Sequence, residues 1–123
     1  MGFLTKFAPQ LLGLLRVVVG LIFLEHGLVK LVGFPAPMGG HLPPLIMAAG
    51  IIELLGGALI TLGLFSRIAA FITSGEMAFA YFISHLPKSI YPTQNGGDAA
   101  ILFCFIFLYL AAAGPGAFAV NQK

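Results

Sequence analysis

Six titratable side chains stand inside stretches that are otherwise almost wholly apolar: Arg16, Glu25, His26, Lys30, Glu53 and Glu76. A charged group at the centre of a lipid-crossing helix costs roughly 2.5 to 3.5 kcal/mol on insertion scales, so each needs a partner or a task. Two chemistries suit them. Carboxyls beside a cation form buried ion pairs that fix helix register; alternatively, carboxyls in a dry site transfer protons or grip the polar head of a ligand. Arg16 is expected to meet Glu53 or Glu76, and these three form the heart of the candidate site, with Glu25, His26 and Lys30 as its further members. His26 reads first as a packing or capping histidine and second as a proton carrier, while Lys30 is expected to snorkel to the headgroups. Asp98 and Tyr109 are secondary candidates. Asp98 most simply caps a helix and complements its dipole, and Tyr109, on the same stripe, offers an inward hydroxyl.

No metal site is expected, because no two of His26, His41 and His85 share a ligand spacing. The single cysteine, Cys104, closes no disulfide and forms no CxxC pair. The sequence also lacks a haem-attachment CxxCH, iron–sulfur cysteines and a nucleotide-binding glycine loop. No cofactor is encoded by a motif, so electron chemistry would come from a bound quinone or from a partner protein.

The residues need helices to position them, and breakers divide the chain into four segments of spanning length, about residues 10–32, 45–65, 68–86 and 97–114. Pro9, the pair Pro43 and Pro44, Pro87, and the run Gly114, Pro115, Gly116 mark the boundaries. Only Ser66 and Arg67 separate the second and third segments, which forces a hairpin. With a rise of about 1.5 Å per residue, Arg16 falls roughly 8 Å in from the terminal edge, Glu76 13 Å, Glu53 18 Å and Glu25 21 Å.

At about 100° per residue, each segment carries one stripe of polar and small or aromatic groups. The stripes are Arg16, Gly20, Phe23, Gly27, Lys30; Gly50, Glu53, Gly57, Ile60; Thr73, Glu76, Ala80, Ile83; and Asp98, Leu102, Phe105, Tyr109. Turned inward, they make an all-α transmembrane four-helix bundle, a single domain over 1–123 with a polar interior. Glu25 lies half a turn from Arg16, so it is protonated, or meets another protomer, or sits where Gly27 bends the helix.

Composition agrees with a lipid solvent. The 123 residues are 59% hydrophobic and 8% charged, where soluble domains carry about a quarter charged residues. The hydrophobicity excludes disorder, and a net charge of +2 is too slight and scattered for nucleic acid. The run after Lys6 holds charges and lacks a small-residue cleavage site, so it reads as a retained helix. Lys6, Arg67 and Lys123 gather at the terminal face, which favours cytoplasmic termini in an inner membrane.

The run Arg16, Gly20, Phe23, His26, Gly27, Lys30, Leu31 is similar to the first-helix pattern of DoxX-family membrane proteins. Gly50, Glu53, Gly56, Gly57, Leu62, Gly63, Arg67, Ala69, Ala70 resembles the family's second motif, and Gly96 to Ala100 with Gly114, Pro115, Gly116 resembles its closing two. Asp98 stands where the family more often has glutamate. The resemblance implies a four-helix inner-membrane protein, associated in some members with oxidoreductase assemblies, thiosulfate:quinone oxidoreductase among them. The expected function is therefore an integral membrane subunit of a redox complex, contacting quinone or relaying protons through Arg16, Glu53 and Glu76. The other reading is an anchor or assembly subunit whose buried charges serve packing. The expected partners are lipid and either the other subunits of such a complex or further copies of the chain.

Overall fold

Proline stands in the first turn of three α-helices of this chain, and glycine caps the C-terminus of four. A computed structural model describes all 123 residues as α1 (Gly2–Thr5), α2 (Ala8–Val32), α3 (Pro44–Leu62), α4 (Ser66–Ala80), α5 (Pro92–Asn95) and α6 (Asp98–Ala113). Pro9 and Pro44 lie in the first turns of α2 and α3, where the missing N–H costs no intrahelical bond. Gly33 (φ 70°) and Gly63 (φ 72°) end the same two helices in the left-handed conformation. Gly63 therefore stops α3 three residues before the expected end at 65, and Gly63 to Phe65 make the corner into α4. The third rod runs on past Ala80 through a π-helical turn, Tyr81–His85, which the expected 68–86 segment had taken as regular helix, and a 3₁₀ turn, Leu86–Lys88.

The fold is an all-α bundle of four helices. Helix α2 packs along α3 and α4 along α6, while the two pairs touch each other less extensively. Glycines set the register of the first pair: a Cβ on Gly20 would strike Thr61, one on Gly27 the backbone of Leu54, and one on Gly57 the backbone of Leu24. The second pair is held by small and aromatic residues and by a hydrogen bond of 2.7 Å from Ser74 Oγ to the Cys104 carbonyl. Phe23 joins the pairs, its ring edge-on to Phe103 and Phe107 at centroid distances of 5.2 and 4.8 Å.

The inner face of α6 differs from the expected stripe. Ala100, Phe103, Phe107 and Leu110 are buried, whereas Asp98, Leu102, Phe105 and Tyr109 are exposed. The middle of this helix is apolar all round, so its periodicity carries no contrast and packing shape chooses the face. In α4 the inward face is Ala69, Ala70, Thr73 and Met77, with Glu76 at its margin and Ile83 outside. Many large apolar side chains point outward, including Phe71, Phe79, Phe82 and Phe105, and α2 and α3 are each long and apolar enough to cross a bilayer.

Candidate functional site in the interhelical cleft

The antiparallel register of α2 and α3 decides which charges meet. With Gly20 opposite Thr61 and Gly27 opposite Leu54, Glu53 lies level with Leu28, about half a turn from Lys30. Arg16 lies level with the Phe65 corner, about 18 Å further along the axis at 1.5 Å per residue. Glu53 Oε1 accepts a hydrogen bond from Lys30 Nζ at 2.6 Å, a salt bridge with Glu53 1% exposed. The expected pairing of Arg16 with Glu53 or Glu76 is thus replaced by Lys30–Glu53, and Lys30 turns inward instead of snorkelling.

Arg16 is fully buried and donates to backbone carbonyls: from Nη1 to Pro115 at 2.5 Å and Ala117 at 3.0 Å, and from Nη2 to Phe118 at 2.9 Å. A guanidinium presents five donors in a fixed fork, which suits carbonyls converging from a turn that helical bonding leaves free. Those carbonyls belong to the segment after α6, which folds back across this end of the bundle. Ala117 N donates to the Pro9 carbonyl at 2.9 Å, and Val120 N and Asn121 N to Leu62 and Gly63, each at 3.1 Å. Arg16 therefore belongs to a structural clamp, outside the cleft.

The cleft has a volume of about 760 Å³ and lies between the two helix pairs toward the end opposite the clamp. Its polar members are His26 and Lys30 from α2, Glu53 from α3, Glu76 from α4, and Ser84, His85 and Lys88 from the turns after α4. Glu76 faces Glu53 and Lys30, and its Oε1 atom is buried without a hydrogen-bond partner. His26 places Nδ1 2.8 Å from the Ile22 carbonyl and its ring edge-on to Phe103. In the neutral ring this puts the proton on Nδ1 and leaves Nε2 as an acceptor. The remaining wall is apolar, from Phe23, Ile52, Met77 and Phe103 among others.

Of the residues singled out from the sequence, Lys30, Glu53, Glu76 and His26 are brought together here. Glu25 lies exposed on the outer side of α2, bordering a smaller recess with His26, Val29, Lys30 and Met38. Asp98 makes no capping bond: it occupies the first turn of α6 behind the N-cap Gly97. Tyr109, 61% exposed, points away from the cleft.

The structure adds Asn95, which sequence reasoning missed. Its side chain is buried; Nδ2 donates to Ser89 O at 2.9 Å and Tyr81 Oη at 3.2 Å, and Oδ1 accepts from Gly97 N at 2.8 Å. It ties the loop beneath the cleft to the π-helical turn, and the Asn-Gly dipeptide was the available signal.

Comparison with known proteins places this geometry in a family. The DoxX family profile matches residues 11–86, which hold α3 and nearly all of α2 together with α4 and the π-helical turn. An uncharacterized protein of Haemophilus influenzae is 42% identical over 130 aligned positions, covering 100% of this chain and 97% of its own. Inner membrane protein YphA of Escherichia coli K12 is 29% identical over 127 positions, 94% of this chain and 91% of its own. No solved structure matches. Matched by the family profile over more than half its length, the chain belongs to the DoxX family and is a membrane protein.

Proposed function

We propose that this protein is the membrane subunit of a redox complex and that the cleft receives a quinone head against Glu76 and the Lys30–Glu53 pair. The supporting observation is the Glu76 Oε1 atom, buried and without a hydrogen-bond partner beside that pair. A buried polar atom left unpaired costs roughly 1–3 kcal/mol, and apolar surroundings offer no water to relieve it. A hydrogen-bonding ligand head does relieve it. The Lys30 ammonium and the Glu53 and Glu76 carboxyls thus offer both hydrogen-bond donors and acceptors next to the head. His26 holds its Nε2 acceptor at the rim, and the apolar wall excludes water from the site. A quinone, when bound, supplies the two-electron redox chemistry for which this chain carries no group of its own.

In the same reading the chain is one domain over 1–123 that crosses an inner membrane several times with cytoplasmic termini. Lys6, Arg67 and Lys123 support that orientation, since they lie in the terminal segments and at the α3–α4 corner. The test is binding of labelled quinone to the purified protein, a label being required because the chain has no tryptophan. Glu76→Gln and Glu53→Gln are expected to weaken binding about tenfold, the worth of one charge-assisted hydrogen bond. Equal affinity in all three proteins refutes the reading.

A second reading, an anchoring or assembly subunit, is favoured by the arginines. Arg16, through Nη1 and Nη2, and Arg67, with its Nη1 bond of 2.7 Å to the Ala112 carbonyl, both donate to the protein's own backbone. It predicts that a partner copurifies equally with wild type and with Glu76→Gln.

A further inference from the structure

The cleft has a side as well as a floor. Near the corner, α3 and α4 are in tight contact, since a Cβ on Gly56 would collide with the Thr73 side chain. Half a turn further along α4, a Cβ on Gly75 would meet nothing within 4 Å. Gly75 lies about 200° round α4 from Thr73, on an exposed side of the helix that borders the cleft. Residues of both helices line the cleft on this side: Ala48, Ala49 and Ile52 on α3, and Ile72, Gly75 and Phe79 on α4. Ile72 and Phe79 are also exposed on the outer surface, as are Ala48 and Gly75, so the cleft runs from the bundle's apolar exterior to the carboxyls inside.

Gly75 is out of place by any packing argument. Glycine in a helix interior is tolerated mainly where another backbone comes close, as it does at Gly20, Gly27 and Gly57. Gly75 has no such neighbour, yet it lies in the middle of α4, where almost any other residue would serve the helix better. What the missing side chain provides is open space, directly beside Glu76.

The geometry points to a lateral window between α3 and α4, bounded by Gly75 and Ala48, through which a single-tailed amphiphile passes from the lipid. Its hydrogen-bonding head lies at Glu76 and Lys30–Glu53 while its tail leaves between Ile52 and Phe79 into the acyl region. This inference rests on the head-binding reading above and adds the ligand class, an apolar chain on a small uncharged head, and the residue that determines its admission. An uncharged head is required because the floor already holds charges of both signs, whereas the lips and the surface beyond them are hydrocarbon.

The test compares two probes, a dimethoxy-methyl-benzoquinone head without a tail and the same head carrying a decyl tail. Both are titrated into wild type, Gly75→Leu, Ala48→Leu and Glu76→Gln in lipid nanodiscs, with helical content and melting temperature as controls for folding. Gly75→Leu adds a better helix former whose Cβ meets no atom within 4 Å, and Ala48→Leu narrows the window from the other wall. Each is expected to weaken the tailed probe at least tenfold while leaving the tail-less head within about twofold, a pattern that generic destabilisation does not produce. Unchanged tailed affinity in both window variants, with Glu76→Gln weakened, overturns the window and leaves the head site standing. Equal loss of both probes in folded window variants also overturns it. Indifference of both probes to Glu76→Gln, or no binding to wild type, overturns the head reading itself.

Discussion

Lys30 and Arg16 lie on one helix, are both cations and are both shielded from solvent, yet the groups that neutralise them differ in kind. Lys30 has one carboxylate, at 2.6 Å; Arg16 has three backbone carbonyls. The difference suits their chemistry, a compact ammonium against a planar fork of donors. It also makes Lys30 the cation whose loss isolates an acid. Lys30→Met leaves Glu53 buried without its partner, which costs roughly 3 to 5 kcal/mol when one half of a buried pair is removed. The expected outcome is a lowered melting temperature in detergent. Lys30→Met combined with Glu53→Leu should recover most of it, because the double variant leaves no orphaned charge. Melting curves of the two variants beside wild type check this, and a double variant no more stable than the single one contradicts the pairing.

At the scale of elements, two mid-helix glycines with identical local propensity are set in opposite surroundings. Gly27 of α2 lies against the backbone of α3, where an added Cβ would come within 2.6 Å of Leu54 N and 2.9 Å of the Gly50 carbonyl. Gly75 of α4 faces open space. Gly27→Ala should therefore destabilise by roughly 1–3 kcal/mol through overpacking and separation of the pair. Gly75→Ala should stabilise by up to about 1 kcal/mol from helix propensity alone. Opposite signs in denaturation of the two variants are the expected result; destabilisation by both would mean that α3 and α4 close over Gly75.

Across the whole molecule the polarity is inverted relative to a water-soluble domain. Phenylalanines cover the outside, while Arg16, Glu53, Ser66, Thr73 and Asn95 are buried. Each end of the bundle is closed by a different device. At the loop end Asn95 ties the turns together, and at the terminal end the segment after α6 crosses back over α2 and the α3–α4 corner. There Phe65 takes a left-handed conformation (φ 48°), unusual for a side-chain-bearing residue, and its N–H donates to Asn121 Oδ1 at 3.1 Å. Truncation after Pro115 removes that bond together with the Ala117, Val120 and Asn121 backbone bonds and two of the carbonyls on Arg16. Amide exchange should accelerate around Gly13 to Arg16 and Gly63 to Phe65, with Glu53 and Asn95 retaining wild-type protection. Uniform acceleration throughout would show that the clamp supports the entire bundle.

Much of the architecture was legible in the residue order because lipid imposes simple rules. A chain with 59% hydrophobic and 8% charged residues, broken by proline and glycine at helical intervals, has few ways to satisfy its backbone without water. The all-α bundle and the glycine-lined face of α2 followed from composition, punctuation and periodicity, and the family from the resemblance of its motifs. Pairing did not. Whether Arg16 or Lys30 reaches Glu53 depends on the register of two antiparallel helices, and Gly20 against Thr61 sets that register through contacts between residues far apart in the chain. The face of α6 was hidden for a related reason, since a helix without polar contrast is oriented only by the shapes it packs against. Residue types and spacing thus determined the lipid-facing exterior and the need to shelter charge. Only the tertiary structure decided which charges meet and where the bundle stays open, because those outcomes depend on axial offsets of a few ångströms between segments that local sequence does not encode.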